Sequence, residues 1–583
     1  MYRPVIDAVS GSLVLTALVA MLPLLTLFVL LGVLRMAAWK AALVSLVVSL
    51  VVAIVAYSMP VGQASMAGIE GAVFGFFPIL WIVINAIWVY NMTVVTGHFD
   101  VLRRSFAKVS DDQRIQAVII AFCFGALMEA LAGFGTPVAI TSVMLIALGF
   151  RPVKAAVVAL VANTAPVAYG ALAVPITTLA TVTNLPEHTL SQIVGRQTPL
   201  LAIFVPMALV FIIDGWRGVR ATLPATLTVG ITFAIAQFVT SNFVSTQLTD
   251  IVASLVAAAS VMLLLRVWRP SGSYVEATEV GTEVRAAGVS HGSRGISKPG
   301  SSFAEVDEEV RESGYPIGMV TAATAAELAE RDRQHHDSGS DVFKAYAPYL
   351  IIIVVFSLAQ IPVIKDALAA PTREFQWPGL DLQTASGKPS TLPTFKFNWL
   401  AAAGTLMVFA GLITIPVIGI SPAKAFRALL DTYRQLFAAI VTVMAVLGLA
   451  YVMNSSGQTA TLGTWVAGAG AAFAVLSPIL GWLGVAVTGS DTSSNSLFGA
   501  LQVSAATKTG ISPALMAAAN SSGGVLGKMI SPQNLAIAAA AVGMSGKEGD
   551  IFRKIIGWSL GFLVLMCAIV YLQSTPVLSW MLP

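Results

Sequence analysis

Charge is scarce in this sequence. Asp, Glu, Lys and Arg together make up 11% of its 583 residues, against roughly 25% in a soluble domain. That is too little to cover a water-facing surface, and it excludes an ordinary soluble globular chain. Cysteine is nearly absent: Cys123 and Cys567 both lie inside apolar runs, which argues against a disulfide framework and against a metal site. The basic residues form no stripe, so a nucleic-acid partner is not indicated. What fills the chain instead is apolar. Hydrophobic residues reach 57% and mean hydropathy is +0.83. The composition is that of an all-α polytopic membrane protein, with membrane lipid as its main surrounding.

Apolar runs of about 20 residues suffice to span a bilayer. Spans are expected at about 12–34, 38–59, 71–96, 153–183, 190–213, 221–242, 249–266, 345–365, 398–420, 435–457, 512–540 and 555–577. The runs 113–149 and 466–507 differ. Each has two apolar arms around a polar, glycine-bearing break, and each reads as a re-entrant hairpin. The expectation is therefore about 12 transmembrane helices plus two re-entrant hairpins. Short-loop charges order them. Arg103, Arg104, Lys108 and Arg114, then Arg151 and Lys154, Arg217 and Arg220, Arg266 and Arg269, Lys424, Arg427 and Arg434, and Lys547, Arg553 and Lys554 all fall on one side. The loops 60–70, 184–189, 243–248 and 458–465 contain no Lys or Arg. The positive-inside rule makes the basic side cytoplasmic. Both termini then face outward across a cell inner (plasma) membrane. The first hairpin enters from the cytoplasm and the second from outside.

Five divisions follow: residues 1–59 as N-terminal helices, 60–269 as a first repeat half, 270–344 as a linker, 345–420 as connecting helices with an outer loop at 366–397, and 421–583 as a second half. The linker is rich in Glu, Ser, Gly and Arg and poor in large apolar groups, so it reads as a disordered cytoplasmic tether. The two halves echo one another. Asn163-Thr164, Gly170 and Pro175 recur in register as Asn520-Ser521, Gly527 and Pro532, and the break Gly133-Phe134-Gly135-Thr136-Pro137 is answered by the polar run 489–496. Irregular backbone at membrane depth survives only where protein or a wet cavity satisfies it. Broken segments at matching places in two halves point to the binding site of an inverted-repeat secondary transporter.

Within these breaks, a few residues can carry chemistry. Glu129 is a carboxyl at membrane depth just before the first break, which makes it a proton carrier or, more blandly, a helix-end carboxylate. Asp491 sits one place off the equivalent position in the second hairpin; its alternative is a local cap bonded by Thr492, Ser493 and Ser494. Lys528 is the one Lys or Arg inside the span 512–540, and an ammonium there needs an anion. That anion is a substrate carboxylate, Glu129 or Asp491. Thr136, Ser494 and Asn495 at the tips, with Asn163-Thr164 and Asn520-Ser521-Ser522 in segments expected to be unwound, offer amides and hydroxyls of the kind that hold anions. Gly135 and Gly523 permit close backbone approach. His98, beside Asp100, reads as a surface histidine sooner than as part of a proton relay. No phosphate loop, nucleophile–base pair or metal cluster is visible, so the chain does not read as an enzyme and no cofactor is expected.

The segments GFGTPVAIT (133–141), VANTAPVAYGA (161–171), SDTSSNSLFGALQ (490–502) and GGVLGKMISPQNLAIA (523–538) resemble the L-lactate permease family. One departure is Thr136, where the family pattern has Ala. The resemblance implies import of L-lactate, and of glycolate or related 2-hydroxy monocarboxylates, together with a proton (H+). It is also grouped with ion transporters built from inverted repeats with paired hairpins. Sodium (Na+) is the alternative coupling ion, since the Asn/Ser/Thr-rich breaks can present hydroxyls and carbonyls to it. A membrane sensor or enzyme working through the linker is the remote alternative. Substrate ranking, enantiomer preference and oligomeric state leave no mark in the sequence.

Overall fold

A computed structural model describes residues 2–270 except 35, 108, 111 and 134, together with 272, 274 and 337–583 except 384–389, 391–392 and 545–546. Most of the linker expected at 270–344 lies outside the described residues. Helix dominates, as it must where lipid offers backbone groups no hydrogen-bond partner. Among the described residues, ten helices are long and apolar enough to cross a membrane, or up to eleven if one bent pair is a single span.

The difference from twelve has physical causes. The expected spans 190–213 and 221–242 run together within Glu187–Val244, with a break in helical backbone at Asp214 and Gly215. The segment expected at 398–420 is a helix of 16 residues, Ala403–Ile418, short of a full crossing. The segment expected at 512–540 is divided by a 3₁₀ turn at Lys528–Ile530. Conversely, Gln113–Leu131 and the run Gln458–Thr488 meet the length criterion although they contain hairpin arms. The loop expected at 60–70 is no loop: a helix begins at Val61 and runs to Phe74, its small residues having hidden it.

Eight elements build the centre. The first hairpin is α1 (Gln113–Leu131) and α2 (Thr136–Ala147). Gln113 Nε2 donates to the Leu148 carbonyl at 2.6 Å, so the second arm returns to where the first began. The tip turns through Gly133 and Gly135, both at positive φ, a region that favours glycine. Next come α3 (Pro152–Ala162) and α4 (Gly170–Thr183), bent by 65° across the turn between them. The second hairpin is α5 (Phe473–Thr488) and α6 (Asp491–Thr509). Ser494 Oγ donates to Gly481 O at 3.2 Å and Gln502 Nε2 to Ser477 O at 3.1 Å, which fixes the arms as antiparallel around Gly489. Finally α7 (Pro513–Gly527) and α8 (Pro532–Ala541) flank the Lys528–Ile530 turn.

In the register that pairs Asn163 with Asn520, the non-helical residues Ala171, Leu172 and Ala173 stand where Lys528, Met529 and Ile530 form their turn. The unwinding expected at Asn520-Ser521-Ser522 is not there; those residues are regular helix within α7. Asn163 and Thr164 end α3 and begin the bend.

Around the centre, Val61–Val95, Ala403–Ile418 and Pro422–Ser456 pack together. On one face Tyr2 bridges to Leu382, and its hydroxyl donates to the carbonyls of Tyr57 and Ser456 at 3.0 and 2.9 Å. On another face Arg114 bonds Asp112 at 2.7 Å, Asp214 at 3.0 Å and the Gly272 carbonyl at 2.7 Å. His98 lies outside the spanning helices. Its Nδ1 is 2.8 Å from Thr96 Oγ1, and burial together with Lys344 holds its pKa below the usual histidine value. It is a locally bonded side chain.

Candidate functional site

Lys528 opens the turn between α7 and α8, where the chain leaves the helix with its ammonium inside protein. It is 6% exposed. Such a charge requires a partner, because an isolated buried ion costs several kcal/mol to desolvate. Its partner is Glu129, 2% exposed: Nζ lies 2.5 Å from Oε1. The other carboxylate oxygen, Oε2, accepts from Asn163 Nδ2 at 2.9 Å. Thus the first hairpin, the end of α3 and the turn after α7 meet at one carboxylate. Gly170 makes room for it. A Cβ there would stand 2.8 Å from Glu129 Oε1.

A second cluster adjoins the first. Asp491 begins α6, and its Oδ2 accepts from Ser521 Oγ at 2.5 Å and from Asn495 Nδ2 at 3.4 Å. Asp491 Oδ1 has no hydrogen-bond partner among the described residues; it faces Gly524, where a Cβ would come within 2.3 Å. Asn495 Nδ2 also reaches the Pro175 carbonyl at 3.1 Å, and Asn495 Oδ1 accepts from Asn520 Nδ2 at 2.9 Å. Gln502 closes the set by donating to Asn520 Oδ1 at 3.1 Å. Ser521, Gly524 and Lys528 follow one another at helical spacing, so they share a face. That face of α7 touches both carboxylates. The charge of Lys528 acts on Asp491 as well as on Glu129.

Both tips are seated by close backbone contact. A Cβ on Gly135 would meet Ile537 Cδ1 at 2.5 Å, and one on Gly489 would meet Gln533 Oε1 at 2.6 Å. Gly523 is tighter still, since its Cβ would lie 2.2 Å from the Pro478 carbonyl oxygen. That neighbour is backbone and cannot rotate away. Gly523→Ala should therefore push α7 from α5, cost about 1–3 kcal/mol as overpacking does, and reduce transport with it. A melting curve in detergent beside an uptake assay checks this; unchanged melting would refute the contact.

The family profile described as L-lactate permease matches residues 16–298 and 315–577. The chain belongs to the L-lactate permease family. A protein named L-lactate permease from Bacillus subtilis is 39% identical over 595 residues, covering 99% of this chain and 98% of the relative. Glycolate permease GlcA from Escherichia coli is 40% identical, covering 98% and 97%. The L-lactate permease of Escherichia coli is 39% identical, covering 98% of each.

In this family member, the residues singled out from sequence fall into three groups. Glu129, Lys528 and Asn163 come together directly, as do Asp491, Asn495, Asn520 and Ser521. Thr164 is buried beside them, and its Oγ1 has no partner among the described residues. Ser494 is used inside its own hairpin, and Thr136 is partly exposed at the first tip. The reading of Asp491 as a local cap fails. The cap of α6 is Ser490, which accepts from Ser493 N at 3.3 Å, and the Asp491 carboxylate turns to α7 instead.

Sequence reasoning missed Gln502, Asn534, Glu70 and Asp250. Gln502 ends the conspicuous SDTSSNSLFGALQ segment and was the easiest to find. Asn534 bonds the Lys528 carbonyl at 3.0 Å and so holds the turn. Glu70 is 2% exposed, and its Oε2 has no partner among the described residues. It was placed in a loop because the small residues around it mask a helix. Asp250 is 0% exposed and looked like the outer end of a span.

Proposed function

We propose that this protein is a secondary active transporter that imports L-lactate and related 2-hydroxy monocarboxylates, glycolate among them, by proton symport. The observation that carries the reading is the buried Lys528–Glu129 pair at the junction of a hairpin with two broken helices. A carboxylate substrate and the Glu129 carboxylate are rivals for one ammonium. When Glu129 takes a proton it lets go of Lys528, and the substrate anion takes its place. Anion and proton then enter together with no net charge, which lowers the cost of crossing a low-dielectric interior. Asp491 is the second candidate for the proton. Asn163, Thr164, Asn495 and Asn520 are the candidate partners for the 2-hydroxyl. The names of the relatives, L-lactate permease and glycolate permease, support the choice of substrate class and of a transporter over an enzyme.

Alternating access would move the hairpin-bearing elements α1–α8 against the packed scaffold helices, with the two hairpins inserted from opposite sides of the inner membrane and both termini outside. Sodium coupling through the hydroxyl-rich breaks is the rival. Purified protein in liposomes, given a panel of monocarboxylates under an imposed pH gradient and separately under a sodium gradient, decides between them. Accumulation of lactate driven by an acidic exterior alone is the expected result. Accumulation only with sodium would overturn proton coupling, and indifference to every 2-hydroxy acid would overturn the substrate class.

A further inference from the structure

Asp250 is a third carboxylate that the site described above does not use. It sits in the first turn of the helix Thr249–Val267, which packs against the Glu129-bearing end of α1. An acidic residue at a helix start is often a cap or a favourable charge for the dipole. Asp250 differs in where its oxygens go. Oδ1 accepts from the Gln237 side chain at 2.8 Å, not from an amide of its own turn. Oδ2 has no hydrogen-bond partner among the described residues, although the side chain is 0% exposed. A buried oxygen without a donor is costly when the group is ionised, and that cost falls when the oxygen carries a proton.

The surroundings lead from Asp250 to Glu129. The titratable groups within electrostatic reach of Asp250 include Tyr169 and Glu129 itself. Tyr169 is fully buried in the bend before α4, its hydroxyl donating to Ser191 O at 2.7 Å. The next residue is Gly170, the one whose missing side chain leaves room for Glu129 Oε1. The bend therefore borders the surroundings of both carboxyls. Around Asp250 run further buried polar groups: Thr198 Oγ1 donates to Gln237 Oε1 at 3.3 Å, and Ser191 Oγ to Ser241 O at 3.2 Å. Ser191 follows the loop 184–189 and Ser241 precedes the loop 243–248, and neither loop carries Lys or Arg, the outward character noted above.

We infer that Asp250 is a proton-relay carboxyl that loads Glu129 from the outer side of the bend. The inference rests on the proton-symport reading. In the step, the O–H bond on Asp250 Oδ2 breaks and one forms on the Glu129 carboxylate, directly or through a water. Asp250 is left as the anion and regains a proton from the outer aqueous phase. No electron changes hands. Asp250 does not touch the substrate; it acts through Glu129.

The test compares two modes of transport in liposomes. Asp250→Asn keeps the side-chain shape and removes the exchangeable proton. Accumulation driven by a pH gradient should fall by about tenfold or more, the scale of removing a positioned proton carrier, while lactate–lactate counterflow, which needs no net proton movement, stays within about twofold of wild type. Unchanged gradient-driven accumulation would overturn the relay, and so would a parallel fall in both modes with the protein still folded. If wild-type accumulation itself ignored the pH gradient, the symport reading would fail first and take the relay with it. Wild type and the Asp250→Asn variant responding equally to the gradient would remove the relay alone. Should the variant not fold, wild-type protein answers through dicyclohexylcarbodiimide, which modifies protonated carboxyls in apolar surroundings. An adduct mapped to Asp250 that fades as pH rises is expected; no adduct there under conditions that label other buried carboxyls would overturn the proposal.

Discussion

Lys528→Met is expected to abolish uptake and to destabilise the protein by about 3–5 kcal/mol, the usual cost of leaving one member of a buried ion pair alone. The stability loss comes from Glu129, not from Lys528. Both members are almost wholly buried, so deleting the ammonium leaves a carboxylate with Asn163 as its one side-chain donor among the described residues. Glu129→Gln should be costly for the mirror reason. The double variant is the informative one. With both charges gone the remaining groups are neutral, and its melting temperature should return most of the way to wild type. The coupling in the cycle should then reach about 3 kcal/mol or more, the upper end for residues in direct contact. Transport should not return, because the ammonium that would hold a substrate carboxylate is still missing. Thermal unfolding in detergent and uptake in liposomes read the two quantities separately. Additive melting shifts in the double variant would show that Glu129 and Lys528 do not depend on each other. A double variant with restored uptake would remove Lys528 from substrate binding.

Much of this centre was legible in the residues because the membrane makes polarity conspicuous. A carboxyl, an ammonium and two glycine-bearing breaks stand out against apolar runs, and Glu129, Lys528, Asn163, Asp491 and Ser521 do meet. The hairpin turns at Gly133–Gly135 and Gly489 were visible for the same reason, since positive φ selects glycine there. What could not be read was where helix stops. Asn520-Ser521-Ser522 look like a break by composition, yet each finds a place within regular helix, and the chain unwinds at Lys528 instead. Serine and asparagine are poor helix formers in isolation but are held when their side chains are spent on neighbours, as Ser521 is on Asp491 and Asn520 on Asn495. The opposite error hid Glu70. Small residues lower hydropathy without breaking a helix, so Val61–Phe74 passed for a loop. Which partner each polar group chooses is a tertiary fact. The alternatives for Lys528 were a substrate, Glu129 or Asp491, and only the packing of α7 on the second hairpin and of α8 on the first selects among them.

Glu129→Gln should separate binding from coupling. In the proposed mechanism the substrate must displace a carboxylate from Lys528, so binding should improve as protons become available to Glu129. Glutamine cannot compete as an anion. Lys528 is then free to hold the substrate carboxylate at any pH. Half-saturation for lactate, measured by counterflow or calorimetry, should move to lower concentration, and its dependence on pH should flatten. Gradient-driven accumulation should fall by about a hundredfold, in the range for loss of a positioned acid–base group. The sign of the affinity change is what tests the mechanism. If Glu129 only braced the hairpin, its loss would loosen the site, and affinity and transport would weaken together at every pH. If Asp491, with its open Oδ1, were the true proton carrier, Glu129→Gln would keep its pH dependence and Asp491→Asn would lose it. Tighter, pH-independent binding in a transporter that no longer accumulates would mean that one ammonium serves two carboxylates in turn and that the proton decides which.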